Sequence, residues 1–313
     1  MIGKRTLLFA ASVLFFISHM AYASSGASFL KLGVGARASG LGSAYTAVAN
    51  DVTSLYWNPS GLSRMKRKEL SAMHTQLFSD TRYDFVGYAH PTGRGTFGFG
   101  AAYLTQGAIE GRSEDRSQAS DFIASDLALT AGFGKSVTSR MSLGGNVKMI
   151  QSRISEFSAT GFALDLGGIW KASSKARVGL SLLNLGTKMN FADEAYDLPL
   201  TLSGGAAYHF FDTMLVSADL KHHPYDSRTS FGIGTEFSLI SMFSLRAGYL
   251  ASSARSAAAQ GSAAKTEDLS KMAGLGFGMG LKIRPGIAID YSFTPAGDLG
   301  NYQTISLSMK FGK

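Results

Sequence analysis

The sequence predicts an all-β fold: a 14-stranded antiparallel transmembrane β-barrel with an N-terminal lumenal plug that contains short helices. Three observations lead there. From Lys68 onward, fourteen segments run or alternate apolar over roughly ten to thirteen residues each. A soluble strand has a mode of about 5–6 residues, whereas a tilted membrane strand needs about 9–11. The connections between these segments alternate long and short, and a Gly- and Ala-rich stretch at 33–62, GVGARASGLGSAYTAVANDVTSLYWNPSGL, precedes them all.

In chain order, Lys4 and Arg5 lead an apolar run that ends in Ala21-Tyr22-Ala23. This is the pattern of a cleaved signal peptide at 1–23, with an apolar core shorter than the roughly 20 residues of a membrane span. No Cys follows Ala23, which argues against a lipid anchor. Residues 24–66 form the expected plug segment and 67–313 the barrel. Within the plug, Gly35, Gly40 and Gly42 permit tight or left-handed turns. Ser43 stands where a cap would start a short helix through Ala44, Ala47 and Val48, stopped by Asn50-Asp51. Asn58 can cap a second turn, with Pro59 in its first position and Gly61 following. Trp57, the largest apolar group of the segment, reads as a packing anchor.

The expected strands are 68–78, 82–91, 94–106, 124–136, 140–152, 159–171, 175–186, 199–211, 213–223, 228–240, 242–253, 271–283, 285–294 and 301–312. Alternation is clearest late in the chain, where Leu275, Phe277, Met279, Leu281 and Ile283 interleave with Gly276, Gly278, Gly280 and Lys282. One face is apolar and the other small or charged. The first two strands are less clean, because His74 and Gln76 share parity with Leu70 and Phe78. Lys148, Asp165, Asp219, Lys221, Glu236, Arg246, Lys282, Asp290 and Lys310 fall on the small and polar parity and are expected to face the lumen. A Lys or Arg turned to hydrocarbon at the midplane would cost about 2–4 kcal/mol. Mixed signs allow ion pairs across strands or with the plug, for instance between Arg37 and an acidic wall residue.

Short turns belong on the periplasmic side of an outer-membrane barrel and longer loops outside, with an even strand number returning both ends to the periplasm. The loops holding 110–121, 191–197 and 255–268 are then extracellular. Tyr103, Phe133, Trp170, Phe210, Tyr249, Phe293 and Phe311 lie near strand ends, as the aromatic girdles of a barrel would. A soluble sandwich also alternates, but with shorter strands and less regular connections. Mean hydropathy near zero fits either class, since lipid-facing and lumen-facing residues cancel.

The run 35–62 resembles the amino-terminal signature of the PorV/PorQ family of outer-membrane proteins, a branch of the FadL-like barrels. It carries Gly35, Ala36 and Arg37, the turn at 40–42, Ala47 to Ala49, Asp51, then Tyr56, Trp57, Asn58, Pro59, Gly61 and Leu62. The resemblance implies a lumenal plug, no catalytic activity and one of two roles. The PorV branch serves type IX secretion, receiving cargo from a translocon and passing it to a surface attachment complex. The FadL branch passes hydrophobic small molecules.

Other function classes find little support. The chain has no cysteine, which excludes disulfides and thiolate metal sites. The +8 formal charge is dispersed, so a nucleic-acid partner is not indicated. Gly132 to Ser136 resembles the tail of a phosphate loop, but Leu129 stands where its first Gly is required. No G-x-S-x-G is present. His222-His223, beside Pro224, reads as an exposed outer loop rather than a metal site. No catalytic residue, metal or cofactor is expected. The sequence therefore points to a non-enzymatic, monomeric barrel in the outer membrane of a diderm, Gram-negative-type bacterium. Its partners are membrane lipid and either a secretion translocon with cargo proteins or a hydrophobic small-molecule ligand. The closer motif and the long polar loops, 254–270 above all, favour secretion.

Overall fold

The computed structural model describes residues 25–107, 109–112, 118–191, 194–253, 274–296 and 300–312. Residues 1–23, expected as a signal peptide, and the low-complexity run 254–270 lie outside them, as does part of 110–121. Fourteen antiparallel strands, each paired with its neighbours in sequence, close on themselves. They begin with β1 (Lys68–Gln76), β2 (Arg82–Thr92) and β3 (Gly95–Thr105). A small hairpin, β4 (Ile109–Arg112) and β5 (Gln118–Phe122), stands in the loop before β6 (Ala124–Ser136), β7 (Met141–Ile154), β8 (Phe157–Lys171) and β9 (Ala176–Gly186). A second hairpin, β10 (Met189–Phe191) and β11 (Glu194–Tyr196), precedes β12 (Thr201–Phe210), β13 (Met214–His223), β14 (Arg228–Ile240) and β15 (Phe243–Ser252). The wall ends with β16 (Leu275–Arg284), β17 (Ile287–Pro295) and β18 (Asn301–Phe311). Closure runs from Lys68 opposite Phe311 to Gln76 opposite Gln303.

The fourteen segments expected from the sequence are the fourteen wall strands. The two hairpins were not expected, because strands of three to five residues are too short to show a period. Short turns gather at the mouth where β1 begins and β18 ends, here the turn mouth. The longer connections and both hairpins gather at the other, the loop mouth.

The wall alternates as a membrane barrel must. Phe97, Phe99, Tyr103, Leu129, Val147, Phe162, Leu164, Leu166 and Leu180 stand outward and exposed, while the positions between them are buried against the interior. Trp170, Phe210 and Tyr249 also face outward. The uneven face of β1 has a local cause. His74 and Asp84 meet on the outside at 2.6 Å between Nδ1 and Oδ1, both largely exposed and close to the loop mouth. Polar groups there lie beyond the apolar belt.

The core of the molecule lies inside the wall. Val34, Leu41, Tyr45, Val52, Leu55 and Leu62 of the amino-terminal segment are fully buried, packed against inward residues such as Phe85, Ala102 and Ile150. Burying a side chain such as leucine or valine is worth about 1.5–3 kcal/mol, so the plug is held by its own apolar face. The segment runs the full height of the lumen. Ser25 sits at the loop mouth, bound through its N–H to Asp226 Oδ1 at 3.1 Å, and the chain emerges at the turn mouth as β1.

One local expectation is corrected. Ser43 does not cap a helix over 44–48. The helix lies earlier, at Ala36–Gly40, Ser43 is left-handed with φ 62°, and 44–48 is a pair of turns. The amides of Tyr45 and Thr46 both donate to Asp219 Oδ2, at 2.9 and 2.8 Å. A wall carboxylate thus satisfies the donors that a helix would have carried inward. His222-His223 is corrected too: the pair ends β13 rather than lying in a loop.

Candidate functional site: the plugged lumen

The plug reaches the wall through three polar clusters, each built by strand register. The first is an ion chain near the turn mouth. Glu236 on β14 stands opposite Arg246 on β15, with Arg246 Nε donating to Glu236 Oε2 at 2.6 Å. Arg37 of the plug completes a fork on the same carboxylate, Nε to Oε2 at 2.7 Å and Nη2 to Oε1 at 2.8 Å. Its Nη1 donates to Asn50 Oδ1 at 2.8 Å and to the Tyr45 hydroxyl at 3.1 Å. Tyr45 in turn donates to Asp51 Oδ2 at 2.5 Å. On the far side, Arg246 Nη1 donates to Asp290 Oδ1 on β17 at 2.6 Å. It reaches across β16 because the residue between, opposite Asp290, is Gly280. A Cβ on Gly280 would lie 2.5 Å from Asp290 Oδ1 and 2.9 Å from Arg246 Nη1.

The second cluster lies midway along β7, β8 and β9. Asp165, fully buried, accepts from Lys148 Nζ, Asn146 Nδ2 and the Asn184 amide, each at 2.8 Å. The Asn184 amide is available because the β8–β9 register shifts between Leu164 and Leu166, with Asn184 at φ 60°. Asn146 Nδ2 also donates to the carbonyl of Leu55 in the plug at 2.8 Å.

The third is the hinge at Asn58. Its Nδ2 donates to Thr46 O at 2.9 Å and to the wall carbonyls of Gly168 and Leu180 at 3.2 and 3.3 Å. Its Oδ1 accepts from the Ser60 amide and hydroxyl, capping the 3₁₀ turn Pro59–Arg64 with Pro59 in first position. Trp57, 4% exposed, donates Nε1 to Val34 O at 2.8 Å. Arg64 closes the turn on the carbonyls of Val48 and Ala49 at 2.8 Å each.

The remaining plug positions are steric. Gly35, at φ 95°, and Gly42, at φ 60°, hold backbone conformations that side chains disfavour. Gly40 meets Gly278 of β16 Cα against Cα, where a Cβ on Gly40 would come to 3.0 Å. Gly61 packs on Ser54 and Ala49. On the wall, Gly179 and Gly276 leave space for the backbone at Thr46 and Ser39, each 2.5 Å from an added Cβ.

Of the nine wall charges, Glu236, Arg246 and Asp290 form one chain and Lys148 and Asp165 one pair. Asp219 and Lys221 both bind the plug, Lys221 through Ser43 O at 2.6 Å. Lys310 approaches Glu69 Oε2 at 3.4 Å. Lys282 is exposed and makes no ion pair among the described residues. Sequence reasoning missed Tyr45, Asn50, Asn146, Asn184 and Asp226. Asn146 shares parity with Lys148 and was within reach of that argument. Asp226, in the turn after β13, carries no such signal. Burial pushes its carboxyl up, but the Ser25 amide and hydroxyl and the Lys31 ammonium outweigh this and hold it below the usual carboxylate range.

Among the described residues, the lumen holds a cavity on either side of the plug. The inner one, about 350 Å³, opens beside the ion chain and Arg67, Glu69, Lys282 and Lys310. The outer, about 130 Å³, lies toward the loop mouth over Trp57. The plug separates them.

A model of the uncharacterised protein family UPF0164 matches residues 18–164. No curated protein matches the chain. Among solved structures, the toluene transporter TodX of Pseudomonas putida superposes with a TM-score of 0.65 at 15% identity, over 89% of this chain and 97% of that one. The toluene transporter TbuX of Ralstonia pickettii gives 0.62 at 14% identity, over 90% and 99%. A FadL homologue of Pseudomonas aeruginosa gives 0.55 at 12% identity, over 86% and 95%. The fold is that of the FadL-like barrels.

Proposed function

We propose that the protein is a non-enzymatic channel of the outer membrane that passes hydrophobic small molecules through a lumen closed by its own amino-terminal segment. The observation that carries this reading is the arrangement of one cavity on each side of a plug fastened by polar contacts. Apolar packing seats the plug, and polar contacts fasten it at particular points of the wall. A latch made of the Arg37–Glu236 fork and the Asp219 and Asn58 bonds can exchange partners with water as the plug shifts. The likeness over about nine-tenths of the chain to barrels described as toluene transporters supports the same reading.

The test is uptake of radiolabelled toluene and of a long-chain fatty acid by a diderm host that lacks its own channels for hydrophobic compounds. Expression of the barrel is expected to raise uptake of at least one. Uptake equal to that of the empty vector for both would end the proposal.

Service in type IX-like secretion is a second reading, supported by the PorV/PorQ-like run at 35–62. On that reading, crosslinking in native membranes recovers a translocon or cargo protein at the loop mouth. Recovery of membrane lipid alone would count against it.

A further inference from the structure

The two cavities differ in charge. The inner one has both signs on its walls. The outer one faces Lys31, Lys148, Lys221, His223 and Arg228, with hydroxyls from Thr201, Ser203, Ser230 and Ser252, and among the described residues no Asp or Glu lines it. Two of its cations are compensated from outside the cavity: Lys148 by Asp165 at 2.8 Å and Lys31 by Asp226 at 3.0 Å. The other two make no ion pair among the described residues. Lys221 Nζ has one hydrogen-bond acceptor, Ser43 O, and sits 4.2 Å from the centroid of the Trp57 ring. Asp219, two residues along the same face, gives its Oδ2 to the plug amides instead. Arg228, exposed at the rim, donates Nε to Ser252 Oγ at 2.7 Å.

An ammonium has three donors and a guanidinium five, so both heads keep donors to spare. Asp219 offsets the Lys221 charge through space but does not hydrogen-bond to it, so the spare donors face the cavity, where an anion can take them. We propose that the outer cavity binds a small oxyanion, with Lys221 as the deep cation, Arg228 as the rim cation and the hydroxyls of Ser203, Ser230 and Ser252 as further donors. Size limits the ligand. A cavity of about 150 Å³ holds one benzene ring; at about 130 Å³ this one encloses a single phosphate, or the carboxylate of a one-ring compound whose ring extends past the rim. Leu30, Leu183 and Leu250 supply the apolar contact such a ring would need. The two ligands share the oxyanion and differ in the body it carries.

This goes beyond passage of hydrophobic molecules and is tested apart from it, because equilibrium binding needs neither transport nor an open plug. The full mature barrel in neutral detergent is titrated calorimetrically with inorganic phosphate and, separately, with benzoate at low ionic strength. Saturable binding of at least one is expected, weakening as chloride is added. Lys221→Met is expected to weaken it about tenfold or more, the scale of one charge-assisted hydrogen bond, and Lys221→Arg to retain it. Unchanged heat-modifiable gel mobility shows that each variant is folded. Should Lys221→Met fail that control, Arg228→Gln at the exposed rim takes its place, with a several-fold loss expected. Binding of phosphate alone identifies a free-anion site, and binding of benzoate alone a site for ring-bearing carboxylates. Wild-type protein that binds neither, or folded variants that bind as tightly as wild type, would overturn the proposal.

Discussion

Replacing Arg37 by methionine removes the plug's main ionic hold while keeping an apolar stem of similar length. The wild-type side chain gives Glu236 two parallel bonds at 2.7 and 2.8 Å and Asn50 another at 2.8 Å. Removing one member of a buried ion pair costs about 3–5 kcal/mol when the remaining charge is left alone. Glu236 is not left alone, since Arg246 stays at 2.6 Å, and the Arg37 side chain is 23% exposed. The loss should therefore fall lower, at about 2–3 kcal/mol. That converts to a change of about 30- to 150-fold in the ratio of seated to released plug. Single-barrel recordings in planar bilayers read this ratio as the fraction of time open. Arg37→Lys, which keeps the charge but not the fork, should fall between methionine and wild type. An Arg37→Met barrel with the wild-type open fraction and thermal midpoint would refute the latch.

Other perturbations reach other parts of the account. Gly280→Ala puts a methyl between Arg246 and Asp290 and should lower the thermal midpoint of the detergent-solubilised barrel, whereas Gly93→Ala, with nothing within 4 Å of the added Cβ, should not. Asn58→Ala leaves the carbonyls of Thr46, Gly168 and Leu180 without their shared donor and uncaps the 3₁₀ turn. A loss of about 2–3 kcal/mol in unfolding free energy is expected. Leu164→Lys, outward and 52% exposed near the middle of β8, should cost about 2–4 kcal/mol in lipid-vesicle refolding, and a neutral result would argue against a lipid-facing wall. Because the Asp226 carboxyl is depressed on folding, its tether on Ser25 and Lys31 is fully present above the ordinary carboxylate range. It is lost as pH falls through the lowered value. Protease protection of residues 25–32 should persist from pH 7 to about 4 and fail only below that.

The wall was legible because its signal is repeated fourteen times. Strand length, dyad alternation and the rhythm of long and short connections each return on every strand, so one blurred case such as β1 does not disturb the count. The lumen-facing charges were legible for the same reason, parity being a local property. Their partners were less so. Arg246 reaching Asp290 depends on Gly280 standing opposite, a matter of register between strands that no single segment reveals. The plug was hardest to read. Ser43 has the chemistry of a cap, but Asp219, from far along the chain, takes the amides of Tyr45 and Thr46, and the helix forms at Ala36–Gly40 instead. The outer cavity has no linear signature at all. Lys31, Lys148, Lys221 and Arg228 meet only once the barrel is closed and the plug is in place.

The placement of that plug is open to direct measurement, because the chain has no cysteine of its own. Ala44 of the plug is fully buried inside the wall, so a lone cysteine in its place should stay unreacted toward a membrane-impermeant maleimide while the barrel is folded and should label only after heat denaturation. Rapid labelling of that cysteine in the folded barrel would put residue 44 outside the wall and contradict a lumen closed from within.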